Sequence, residues 1–177
     1  YSSSVLPDGR VFVAGAEYGT GSPNGEVYNP LNNTWTTVTV PAGLINLTIS
    51  VGSSGANRYG FSDSAAKILP DGRVMISPVY PIANNGTVIF DPATMGFGSG
   101  PANIVYQNEA SWVKLPDDSI LTVGRNSTLS ERYIPSLNRW TQDANVPVQT
   151  YGSQSEIGAA VLLPNGKAFL IGGNGNT

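Results

Sequence analysis

The chain of 177 residues contains no cysteine and no histidine. The first absence removes disulfides, thiolate nucleophiles and thiolate metal sites. The second removes the commonest general base and the commonest transition-metal ligand, and with them Ser-His-Asp catalysis. Charge is scarce too: charged residues make up 12%, Lys and Arg together number nine, and the formal net charge is −3. No basic stripe is present to capture nucleic acid. No apolar run approaches the ~18 residues that a membrane-spanning helix requires. The longest candidate, "AAVLLP", is strand-sized. No signal peptide is visible, and residue 1 is tyrosine, so the chain is expected to be processed or to be part of something longer.

What is abundant points to an all-β protein. Hydrophobic residues reach 40%, with 21 glycines and 13 prolines, and Ser, Thr and Asn fill most polar positions. That profile suits short strands joined by tight turns. Four Asn-x-Ser/Thr sites, at Asn32, Asn46, Asn85 and Asn126, are acceptors for glycans in a secreted protein.

Internal repetition dominates the pattern. Leu-Pro pairs occur at Leu6-Pro7, Leu69-Pro70, Leu115-Pro116 and Leu163-Pro164, separated by 63, 46 and 48 residues. Each is followed by a turn and a hydrophobic run: "PDGRVFVAG", "PDGRVMISP", "PDDSILTVG" and "PNGKAFLIGG". Proline presets φ, Asp or Asn bonds its own backbone, and Gly accepts positive φ, so each unit reads as a β-hairpin. A third strand ends in Tyr or Phe two residues before proline, in "EVYNP", "VIFDP" and "ERYIP". A fourth carries an aromatic residue: Trp35, Phe97 and Trp140. These three are expected to pack between neighbouring units.

Four antiparallel strands with an aromatic on the last describe a β-propeller blade, and the period fits. The fold class expected is therefore all-β: three complete blades and half of a fourth, part of a larger, seven-bladed ring. Blade 1 covers ~1–41, blade 2 ~63–102, blade 3 ~108–147 and the half blade ~155–177, with an insert at ~42–62 between the first two. Long loops of this kind are either functional or tolerated length variation. Three completions of the ring are open: blades outside this chain, a second copy of it, or closure with four blades.

The combination "LPDGRVFVAG…EVYNPLNNTW" resembles the kelch repeat. "EASWVKLPDDSILTVG" and "EIGAAVLLPNGKAFLIGGNGNT" resemble secreted kelch-type proteins similar to galactose oxidase and glyoxal oxidase. "LIGG" has the doubled glycine of the kelch pattern, whereas "VAGA", "ISPV" and "TVGR" depart from it. The resemblance implies a secreted or cell-surface location. Oxidases of this kind bind copper through tyrosine and histidine, with a tyrosine cross-linked to cysteine. Neither His nor Cys is available here, so this chain holds no copper radical site.

No catalytic residue is assigned. Asp63, Glu109 and Glu156 precede the first strands of three units, and their convergence on a central channel mouth would suit a hard cation such as calcium or a sugar. Their ordinary alternative is a set of solvated strand ends. Tyr18, Arg58 and Tyr59, with Tyr80, Tyr106 and Tyr151, fall in loops suited to stacking on carbohydrate or peptide. Trp112 sits on a first strand, as core or channel lining. The function expected is a non-catalytic scaffold that binds carbohydrate or protein through its loops. The alternative is a piece of an oxidase-like or glycan-acting enzyme with its active-site residues elsewhere.

Overall fold

The computed structural model describes residues 1–15, 22–45, 60–78, 86–105, 107, 109–124, 127–149 and 158–171, and the backbone of 48–50 and 56–58. Three four-stranded antiparallel sheets follow one another along the chain. The first contains β1 (Ser2–Val5), β2 (Val11–Ala14), β3 (Asn24–Asn29) and β4 (Thr34–Thr39). After it come β5 (Thr48–Ser50) and β6 (Ala56–Arg58), which pair with each other as a two-stranded sheet. The second sheet contains β7 (Ala65–Ile68), β8 (Val74–Ser77), β9 (Gly86–Asp91) and β10 (Gly96–Ala102). The third contains β11 (Val113–Lys114), β12 (Ile120–Val123), β13 (Ser130–Ile134) and β14 (Arg139–Gln142). A final hairpin joins β15 (Ala160–Leu162) to β16 (Ala168–Leu170). One 3₁₀ turn, Pro135–Leu137, is the helical element among the described residues.

Each four-stranded sheet is a simple meander, and the described hairpin turns carry their own turn chemistry. In the first hairpin the Leu6 amide donates to the Arg10 carbonyl and the Gly9 amide to the Leu6 carbonyl, both within 2.9 Å. The same pair of bonds recurs at Leu69, Leu115 and Leu163. The third turn residue lies in the left-handed region each time: Gly9 (φ 86°), Gly72 (φ 86°), Asp118 (φ 66°) and Gly166 (φ 80°). The turn side chain caps the bend as well. Asp8 and Asp71 each accept from the arginine amide two residues on, at 3.1 Å, and from its Nε at 2.8 Å. The β3–β4 and β13–β14 turns are closed by Asn33 and Asn138, whose side-chain oxygens accept from the Tyr28 and Tyr133 hydroxyls at 3.1 and 3.0 Å.

The sheets stack face to face. Phe12 of blade 1 is fully buried against Phe90 of blade 2, with ring centroids 4.5 Å apart and planes 16° from parallel. Phe97 and Phe61 complete this layer. Between blades 2 and 3, Leu69, Met75 and Ile89 meet Ile120, Tyr133 and Trp140. Each buried side chain of this size stabilises the stack by about 1.5–3 kcal/mol. Blade 1 also reaches across at its hairpin tip: Arg10 donates to the Pro92 carbonyl at 2.9 Å and to the Met95 sulfur at 3.1 Å. Arg73, its counterpart in blade 2, lines the matching cleft beside Tyr133 and Asn138 of blade 3.

The return from the insert is pinned to blade 1. The Phe61 amide donates to the Ser22 carbonyl at 3.2 Å. At Gly60 (φ 44°) an added Cβ would fall 2.2 Å from that carbonyl oxygen, so no larger residue fits.

Trp35 departs from expectation. Trp140 is 5% exposed and Phe97 packs in the blade 1–blade 2 layer, but Trp35 is 58% exposed. These fourth-strand aromatics all face the preceding blade. Trp140 has blade 2 before it and Phe97 has blade 1, whereas among the described residues no sheet precedes blade 1. Among the described residues the ring partner of Trp35 is the neighbouring Tyr28, centroid to centroid 4.9 Å.

Candidate functional site in the axial cavity

The first strands of the units come together. β1 runs beside β7 and β11 beside β15. Alignment on the Leu-Pro pairs puts Ser2, Ala65, Ser111 and Ala159 at one level, with Ser3, Ala66, Trp112 and Ala160 at the next. Apart from Trp112, both rows are small. Radial sheets crowd toward a common axis, and only short side chains leave room there.

These rows line a cavity of about 350 Å³, within the size range of small-ligand sites. Ser2, Ser3, Ser64 and Ser111 supply hydroxyls to its wall, and Lys67 and Trp112 complete the functional lining. Several hydroxyl protons are already committed. Ser2 Oγ donates to the Ala14 carbonyl at 3.3 Å, Ser64 Oγ to the Phe61 carbonyl at 2.9 Å, and Ser111 Oγ to the Gly158 carbonyl at 2.7 Å. Each oxygen retains lone pairs, so these serines meet a ligand as acceptors.

Lys67 is the one charged side chain among the described lining residues. Burial pushes its ammonium below the usual lysine value. No carboxylate among the described residues pairs with it, although five other ion pairs are formed. Two further clefts, of about 270 and 320 Å³, flank Arg73, but its guanidinium is already answered by Asp71 at 2.7 Å.

Behind the cavity wall lies a buried polar relay. Glu131 of β13 is fully buried. Its carboxylate accepts from the Ile104 amide at 2.6 Å, from the Val105 amide at 3.3 Å and from Gln107 Nε2. Gln107 Oε1 in turn accepts from the Trp112 indole at 2.7 Å. Burial raises the Glu131 carboxyl above the usual glutamate value, and the donors from Gln107, Ile104 and Val105 pull the other way. The relay ties the blade 2–blade 3 connector to β13 and orients the indole that borders the cavity.

The residues singled out in the sequence have mixed placements. Asp63 (φ 45°) and Glu109 (φ 53°) occupy matching left-handed turns before β7 and β11. Neither is among the cavity-lining residues. No cluster of three potential metal-ligating side chains forms among the described residues. Glu156, Tyr18, Tyr59, Tyr80, Tyr106 and Tyr151 lie outside the described residues, and Arg58 is described only as backbone of β6. Lys67, the serine rows and Glu131 were not singled out. The alignment that reveals the blades also reveals the rows. Glu131 carried a sequence signal too, since Glu26 and Glu131 both stand two residues before the third-strand tyrosine.

Sheets of four antiparallel strands, stacked face to face with their first strands around an axial cavity, define a β-propeller architecture. Among the solved structures that share it are two longer proteins. The structure of YjhT superposes with a TM-score of 0.62 at 13% identity, covering 92% of this chain and 56% of that one. Virginiamycin B lyase from Staphylococcus aureus also gives 0.62, at 12% identity, covering 97% of this chain and 48% of the lyase. This chain spans about half the length of either protein. No protein-family model matches the chain, and no curated protein matches it.

Proposed function

We propose that this chain is the ligand-binding part of a secreted or cell-surface kelch-type propeller, and that it takes carbohydrate at the mouth of its axial cavity. The single observation that carries the reading is the cavity wall: lone pairs of fixed serines, one cation and an aromatic edge, held by rigid strands. Sugars are recognised by such convergent polar groups beside an aromatic surface. The kelch-like repeats and the four glycosylation motifs support the location. A glycan array probed with the 177-residue chain is expected to return a restricted set of saccharides. A blank array, with peptide ligands captured instead, would sink the carbohydrate reading.

A second reading has its own support. The chain spans about half of two longer propellers, and one of those is by name a lyase. Additional blades would complete the channel wall, and catalytic groups would come from them. Under that reading this half supplies binding groups alone, and the 177-residue chain shows saccharide affinity without turnover.

A further inference from the structure

We infer that the axial cavity is a site for a carboxylate-bearing monosaccharide, a hexuronic acid, with Lys67 holding the carboxylate and Ser2, Ser64 and Ser111 holding the ring hydroxyls. The inference rests on the carbohydrate reading above and adds the charge and class of the ligand.

Two complementary features carry it. The serines at positions 2, 64 and 111 have given their protons to backbone carbonyls. They therefore demand a ligand that brings O–H donors. Lys67 presents the opposite need. It is a donor with no acceptor among the described residues, in a cavity where no other described side chain is charged. A half-buried, unpaired ammonium is stabilised when an anion joins it, and burial already weakens its hold on the proton. An anion bound at Lys67 therefore gains more than it would at the arginines of the hairpin turns, whose charges Asp8 and Asp71 already answer. A hexuronic acid combines both requirements on one compact body, and the cavity of about 350 Å³ admits it. A neutral hexose satisfies the serines alone, and a simple carboxylate satisfies Lys67 alone.

The test uses the 177-residue chain and three probes: galacturonate, galactose and acetate. Binding is followed by backbone amide shifts at Ser3, Ala65 and Ser111. Galacturonate is expected to bind at least about tenfold more tightly than galactose or acetate, the scale of one charge-assisted hydrogen bond. Lys67→Met keeps the aliphatic stem and should reduce galacturonate to the affinity of galactose. Lys67→Arg should restore most of the difference. Far-ultraviolet circular dichroism and thermal unfolding confirm that both variants fold. Equal affinity for galactose and galacturonate overturns the inference and leaves the carbohydrate reading standing. Equal affinity for acetate and galacturonate also overturns it. Failure of all three sugars and acids at these amides, alongside a positive glycan array, moves the binding site elsewhere and sinks the inference alone. A blank array with no shifts sinks both.

Discussion

Glu131 is the residue whose chemistry is most constrained by its surroundings. Three donors converge on a fully buried carboxylate. Glu131→Gln preserves shape but replaces one oxygen with an amide NH2 group that faces those donors. The cost expected is about 1–3 kcal/mol, the range for leaving buried polar groups unsatisfied. The variant should also change the pH profile. The folded-state value of Glu131 lies above its unfolded value, so the native state binds the extra proton in the interval between them. Stability from this group therefore rises as pH falls through that interval, and is complete below the ordinary glutamate value of 4.5. Asp71 runs the opposite way. Its bond with Arg73 lowers its value, so its contribution is present above the ordinary range and is lost as pH falls through the folded value. Thermal unfolding of wild type and Glu131→Gln from pH 7 to about 4 should show wild type gaining on the variant toward acid. A constant offset across that range would refute the assignment. Lys67 was less legible than either, because a lysine on a first strand looks like any solvated strand residue until the cavity is built around it.

The hairpin is the element where local chemistry alone wrote the structure. Pro-Asp-Gly, with its glycine in the left-handed region, closes β1–β2 and β7–β8 identically. The third copy substitutes Asp118, which holds φ 66° and pairs with Lys114 at 2.8 Å. Asp118→Gly removes a left-handed strain of about 1 kcal/mol and forfeits a surface pair worth less than that. Urea unfolding is expected to show a gain of a few tenths of a kcal/mol, and a loss greater than about 1 kcal/mol would contradict it. Gly72, by contrast, cannot be exchanged so easily, since a Cβ there would meet the Pro7 ring at 2.8 Å. The turns were readable because every bond they need comes from within five residues. The β5–β6 pair was not read as strands. The strands are three residues each, "TIS" and "ANR", and the second has no alternation of apolar and polar residues to mark it as the partner of the first.

At the scale of the whole molecule, the repeat announces the stack but not which faces of it are covered. Trp35 and Trp140 stand at the same register of their blades, opposite Tyr28 and Tyr133. Nothing local distinguishes them; the presence of a preceding blade does. Trp140→Ala should cost about 3–5 kcal/mol, the range for truncating a buried aromatic. Trp35→Ala should cost less than about 1 kcal/mol. Acrylamide quenching of single-tryptophan variants offers a direct check: Trp35 should be readily quenched, and Trp112 and Trp140 protected. Similar losses for the two alanine variants would mean that Trp35 is covered in solution.

The crossing made by Arg10 gives the molecule a direction. Its guanidinium belongs to the first hairpin, yet the Pro92 carbonyl and Met95 sulfur that receive it come from the second sheet, some eighty residues later. During synthesis the earlier hairpin tip must wait for the later turn to emerge. The second sheet therefore seals the first, and until residue 95 has emerged a growing chain carries that seam unfinished.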